Sequence, residues 1–178
     1  MKYKTIVAID PGASGGIAVY SRKRAVAVGM PKGVAEVNKL IQKIQQEYEG
    51  IIVFIEKVQA YASGKGDDDP GKKFGINKML KNYSELITVI TLNGLPYIEA
   101  YPVSWQSTLG LSQRRPKEIE FSKWKTMRKN KYKEFAQASY PEIKVTLKLA
   151  DALCILDFAK DKLTKDPNWI IDKLVTPD

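Results

Sequence analysis

Histidine is absent from this chain of 178 residues, cysteine occurs once, and no apolar run approaches the length of a membrane span. Without histidine and with a single cysteine, disulfides, the usual zinc sites and Cys–His catalysis are excluded. A general base or metal ligand must therefore be Asp, Glu, Lys, water or backbone. The opening MKYKTIVAID leads straight into a patterned strand, with no signal core or cleavage site. A soluble, untargeted protein is expected, in the cytoplasm or with the nucleoid, or in the host cytoplasm if viral, with no membrane partner. Cys154 lies inside the apolar pattern LADALCILDFAK and reads as a small core residue rather than a nucleophile.

What is present is a composition 44% hydrophobic, enough for one proper core and too short a chain for two ordinary domains. A single domain over 1–178 is expected. Twenty-nine Lys and Arg face 20 acids, a net charge of +9, which points to an anionic partner such as nucleic acid or an anionic membrane, unless the surface is simply basic.

KTIVAI (4–9) and GIAVYS (16–21) are short runs of Val, Ile and Tyr separated by Pro and Gly, the pattern of a strand, a tight turn and a returning strand. A third strand is predicted over 25–30 after a turn at 22–24. Val34, Val37, Leu40, Ile41, Ile44 and Tyr48 recur at helical steps, so 34–48 is an amphipathic helix. IIVFIE (51–56) runs apolar without alternation, as a strand buried on both faces does. The loop ASGKGDDDPGKK, a helix over about 74–93 and a fifth strand over 96–103 follow. Beyond the basic stretch LSQRRPKEIEFSKWKTMRKNK, helices are predicted over 131–141 and 147–163. This is an α/β order with a mixed five-stranded sheet flanked by helices, similar to that of ribonuclease-H-like folds.

Three carboxylates stand out. Asp10 closes the first strand, Glu56 closes the fourth, and Asp151 lies in the first turns of the last long helix, among apolar neighbours. If the first and fourth strands run parallel side by side, their C-terminal ends meet, and a helix packed across them brings the third acid to the same place. Anions a few ångströms apart repel by roughly 4 kcal/mol per pair at an effective dielectric near 20. Two Mg²⁺ ions about 4 Å apart would neutralise them and form a clamp for phosphodiester hydrolysis. Gly12, Gly15 and Gly16 would leave room for metal and phosphate to approach the main chain. Each element alone also has a plain reading: a hairpin turn, a strand-end acid facing water, a surface helix residue.

These residues resemble a known family, the RuvC-like Holliday-junction resolvases of the ribonuclease H superfamily, particularly their divergent phage and organellar branches. The resemblance rests on VAIDPGASGGIAV, on VFIEKVQA, on YIEAYPVSWQSTLGL and on LADALCIL, in the right order over most of the chain. It implies that Asp10, Glu56 and Asp151 are metal ligands for Mg²⁺, with Mn²⁺ as a substitute. It also implies cation-dependent nicking of branched DNA, in recombination and repair, by a homodimer matched to the two-fold axis of a four-way junction. One departure is visible. The family's fourth acid or histidine, three or four residues before the helical aspartate, is replaced by Leu147 and Lys148. Leu147 cannot bind metal, whereas Lys148 shares a helical face with Asp151 and is a candidate to orient the water or hold the scissile phosphate.

For DNA contacts the sequence offers Gly12 in the turn, then Tyr61, Lys65, Lys72, Lys73 and Lys78 in and after the glycine-rich loop, and Arg114, Arg115, Lys123, Lys125 and Arg128 in the basic stretch. Tyr61, Phe74 and Trp105 are candidates for stacking on an unpaired base, the last two being also natural core residues. Rival readings are a two-domain phosphate-binding ATPase, for which the chain is too short, a non-catalytic junction-binding protein, and a ribonuclease H acting on RNA–DNA hybrids.

Overall fold

The computed structural model describes residues 3–58 and 70–177, apart from the side chains of 70–74 and 167. Three strands open it: β1 (Thr5–Asp10), β2 (Gly16–Ser21) and β3 (Arg24–Gly29), paired antiparallel. The two residues between β2 and β3, Arg22 and Lys23, take φ of 49° and 65°, the left-handed geometry that a two-residue hairpin turn demands. Helix α1 (Val34–Glu47) leads to β4 (Ile51–Glu56), and α2 (Pro70–Leu92) to β5 (Tyr97–Ala100). The sheet order is β3-β2-β1-β4-β5, with β4 parallel to both β1 and β5.

Alternation along the strands splits the core into two layers. Ile6, Ala8, Ile52, Phe54 and Ile98 face α5 (Leu147–Lys165), while Val7, Ile9, Val53 and Ile55 face α1 and α2. From Ala150 to Leu156 every residue of α5 is buried, because the helix lies against β1 and β2 on one side and against α4 (Phe121–Ser139) on the other. Cys154 sits in this layer, its thiol pushed well above the ordinary range by burial, so it serves packing as expected.

Several elements differ from the sequence reading, among them α2, which starts at Pro70, inside the expected loop and four residues before the predicted start. The fifth strand stops at Ala100, because Pro102 has no N–H for the ladder and instead opens a seven-residue helix, α3 (Pro102–Thr108). Helix α4 starts at Phe121, ten residues before the predicted start at Lys131. Its buried side is carried by Trp124, Tyr132 and Ala136, thinly spread among lysines. A short α6 (Pro167–Ile171) closes on α5. Among the described residues no helix is long and apolar enough to cross a membrane.

Candidate active site

The β1–β4 ladder pairs Ile9 with Ile55, so Asp10 and Glu56 each occupy the next position at the C-terminal ends of two adjacent parallel strands. Alternation puts both on the face covered by α5, and Asp151, in the second turn of that helix, is buried there. The three acids feel one another's charge. Burial first, then the charge of Asp151, raises Asp10 to about 6, against weaker lowering by Lys129 and by the Gly12 N–H. Burial, then Asp10 and Asp151, raises Glu56 to about 8.

The glycines of the turn have a more local purpose than room for a ligand. A Cβ on Gly15 would meet Asp10's own backbone oxygen and stand 2.8 Å from its Cγ. One on Gly16 would come within 2.9 Å of both the Lys148 and Val28 carbonyl oxygens, where α5 and β3 close on the turn. Gly12 donates its N–H to Asp10 Oδ1 at 3.2 Å. Gly15 thus gives space to the carboxyl group of Asp10, and Gly16 lets the helix carrying Asp151 approach β2.

Two side chains that hold the acids were not singled out for that role in the sequence. Trp105, from α3, is fully buried and donates its indole N–H to Glu56 Oε1 at 3.1 Å, so it is unavailable to stack on a base. Lys129, from α4, donates to Asp151 Oδ2. Burial lowers the proton affinity of Lys129, but Asp151 and the other two acids outweigh it and the net displacement is upward, so the ammonium stays charged. Lys148, expected to face Asp151, is exposed and makes no ion pair with it; the lysine at the site comes from the neighbouring helix. The signal was in the spacing: Lys129 precedes the core residue Tyr132 by three, on the edge of the buried face of α4.

Asp151 Oδ1 is buried with no hydrogen-bond partner among the described residues. Three carboxylates, all hard oxygen donors, with the proton affinities of Asp10 and Glu56 raised by burial and by neighbouring charge and with one oxygen of Asp151 orphaned, fit a divalent cation such as Mg²⁺. As placed, however, no group of three acids among the described residues is gathered closely enough to grip an ion, and Lys129 supplies the positive charge beside Asp151.

The remaining candidates divide by location. Arg114, Arg115, Lys123 and Lys125 are exposed on the segment before α4 and on its first turns. Arg128 turns inward, its guanidinium 5.9 Å from the centre of the Tyr132 ring. Lys78 is exposed on α2. Tyr61 and Lys65 lie outside the described residues, as do the side chains of Lys72, Lys73 and Phe74.

With this geometry in view, one solved structure settles the architecture. Thermus thermophilus RuvC in complex with a Holliday junction substrate superposes with a TM-score of 0.55 over 92% of this chain and 97% of that one, at 15% identity. The chain has a RuvC-like fold. A second Thermus thermophilus RuvC structure matches at a TM-score of 0.49 and 16% identity, over 85% of this chain and 90% of that one. No protein-family model and no curated protein matches the sequence. The RuvC-like sheet and its flanking helices are the α/β, ribonuclease-H-like arrangement expected from the order of strands and helices.

Proposed function

We propose that the chain is a divalent-cation-dependent endonuclease that resolves four-way DNA junctions by paired nicks, acting as a homodimer. The observation that carries this reading is the meeting of Asp10, Glu56 and Asp151 at one end of a RuvC-like sheet, with the Asp151 Oδ1 orphaned. Asp10, Glu56 and Asp151 would hold Mg²⁺ or Mn²⁺, which when bound supplies an activated water and neutralises charge at the scissile phosphate.

The chain's own residues do the rest. Trp105 fixes one oxygen of Glu56 and leaves the other free, while the Gly12 N–H and the space at Gly15 fix Asp10. Without a counter-charge Glu56 keeps its proton at neutral pH. Lys129 presents an ammonium beside Asp151, where it stabilises the negative charge that grows on a phosphate during hydrolysis. Arg114, Arg115, Lys123 and Lys125 contact phosphates of the arms, which positions DNA without reading its sequence. A four-way junction has an approximate two-fold axis, and a C₂ dimer is the geometry that places one site on each of two strands.

A second reading is favoured by one contact. The Lys129–Asp151 ion pair puts a cation where metal charge is needed, as a binding protein that never cuts would have it. Nicking of a synthetic four-way junction, beside a linear duplex and an RNA–DNA hybrid, with and without Mg²⁺, decides between them. Symmetric Mg²⁺-dependent cuts in the junction alone, lost in Asp10→Asn, support the resolvase. Binding with no cuts in Mg²⁺ or Mn²⁺ supports the binding protein, and cutting of the hybrid alone supports a ribonuclease H.

A further inference from the structure

The turn that follows Asp10 has a second face. Pro11 and Ala13 leave the carboxylates behind and form one wall of an open cavity of about 270 Å³, bounded elsewhere by the 30–33 segment, α1 and α2. Its lining includes none of the three acids and no residue of α5.

We propose that this cavity receives one unpaired nucleobase of the DNA strand held at the carboxylates, and that it favours a base with an exocyclic amino group, adenine, cytosine or guanine, over thymine. The inference rests on the branched-DNA reading above. Four observations lead to it. The volume falls just below that of pockets for drug-sized ligands, which suits a single flat heteroaromatic ring system. Val37, Leu86 and Val89, all buried, offer aliphatic walls to the faces of such a ring. Lys32 and Lys78 stand exposed at the rim, from the two sides of the opening, and complement an occupant attached to phosphates rather than a neutral apolar ligand. Lys78, Asn82 and Glu85 follow one another at steps of four and three along a single face of α2, so the charge at the mouth and two half-exposed polar groups of the wall are aligned, Glu85 also lying 3.8 Å from the Lys81 ammonium.

Those two polar groups set the preference. An Asn carboxamide pairs with the N6 and N7 edge of adenine, and a Glu carboxylate accepts from the N4 amino group of cytosine. Thymine has no amino group to offer a carboxylate. Pro11 follows Asp10 directly in the chain, which ties the cavity to the strand held at the acids. A branch point supplies an unpaired base there at little cost, whereas a linear duplex must first unstack one.

The test uses the full chain, methyl-labelled at Val and Leu, with forked duplexes carrying unpaired dA, dC or dT at the fork, in the absence of metal. Expected are intermolecular NOEs between base protons and the Val37, Leu86 and Val89 methyls, with affinity for the dA and dC forks about five-fold above that for dT. Val34→Trp, a change at an exposed residue of the cavity's mouth, should abolish those NOEs while fork affinity by anisotropy changes less than about three-fold, because phosphate contacts elsewhere persist. Asn82→Ala together with Glu85→Gln should level the three forks, and serves as the deciding variant if Val34→Trp does not fold. Fork binding without base-to-methyl NOEs, or NOEs that survive Val34→Trp, would overturn the cavity's role and leave the DNA reading standing. Failure of the wild type to bind any fork at low salt would overturn both.

Discussion

Trp105 has no exposed surface, yet its indole N–H reaches Glu56 Oε1 at 3.1 Å, so a short helix that follows β5 orients an acid at the end of β4. The ring also packs edge-on against Tyr132 of α4, with centroids 5.1 Å apart. One tryptophan therefore joins three elements at the site. Trp105→Phe keeps an aromatic ring at the site while removing the donor and some buried volume. Mn²⁺ affinity, read by electron paramagnetic resonance, should fall by roughly ten-fold, as when a partner of a metal ligand is lost. In metal-free buffer the thermal midpoint should drop by a few degrees, for the smaller ring and for a lost hydrogen bond to a neutral carboxyl group of about 0.5 to 1.5 kcal/mol.

Lys129→Met leaves Asp151 buried and unpaired. In metal-free buffer this should destabilise the protein by about 2 kcal/mol, less than a fully buried pair would lose because the lysine retains some contact with water. Mg²⁺ should then raise the melting temperature of the variant more than that of the wild type, by linkage. Equal Mg²⁺ responses would show that the ammonium and the metal do not compete for Asp151.

Gly15→Ala forces a methyl group against the backbone oxygen of Asp10 and into its carboxyl group. Because that backbone oxygen cannot rotate away, the turn must shift: metal response and nicking should be lost and the urea midpoint should fall. Gly16→Ala likewise meets backbone oxygens, those of α5 and β3, and should cost about 1 to 3 kcal/mol in urea melts.

The pH dependence follows from two raised carboxyls. Glu56 moves from 4.5 to about 8 and Asp10 from 3.8 to about 6, so the native state holds protons that the unfolded chain has released. Metal-free stability should therefore fall as pH rises between about 4 and 8 and level off above, the reverse of a salt-bridged carboxylate. A tenfold change in proton affinity is worth about 1.4 kcal/mol, so the two groups together allow a decline on the order of 8 kcal/mol. Glu56→Gln should flatten the part above pH 6, and saturating Mg²⁺ should flatten all of it. Urea melts at pH 5, 6.5 and 8, with EDTA or Mg²⁺, check both; a level profile in EDTA would mean that the acids are not crowded together.

Asp10, Glu56 and Asp151 were legible because each ends or interrupts an apolar run, where an acid without a purpose is unfavourable. The strands were legible for the same reason, being runs of Val and Ile bounded by Gly and Pro. Helix α3 was not, because seven residues hold barely two helical turns and Pro102 reads equally as the end of a strand. The first half of α4 was hidden by its charges, since only Trp124 marks the buried side before Tyr132. Which lysine meets Asp151 depends on how α4 rotates against α5. Lys148 shares a helix with the acid and Lys129 does not, so local spacing pointed to the wrong one. Trp105 was weighed as a core residue or a stacking platform, and its actual role requires both full burial and one exact neighbour, Glu56.

The placement of the acids also bears on how the chain folds. Asp10 and Glu56 come together only when β1 pairs in parallel with β4 across the intervening hairpins and α1, and Asp151 arrives from near the other end of the chain. Such distant contacts pay their loop-closure entropy late, so they form slowly compared with local helices and hairpins. The hairpin of β1 and β2, or the pair of α4 and α5, can exist early in a nascent polypeptide without assembling the carboxylate cluster. Whatever chemistry the cluster performs is therefore silent until synthesis has passed Asp151 and the sheet has closed.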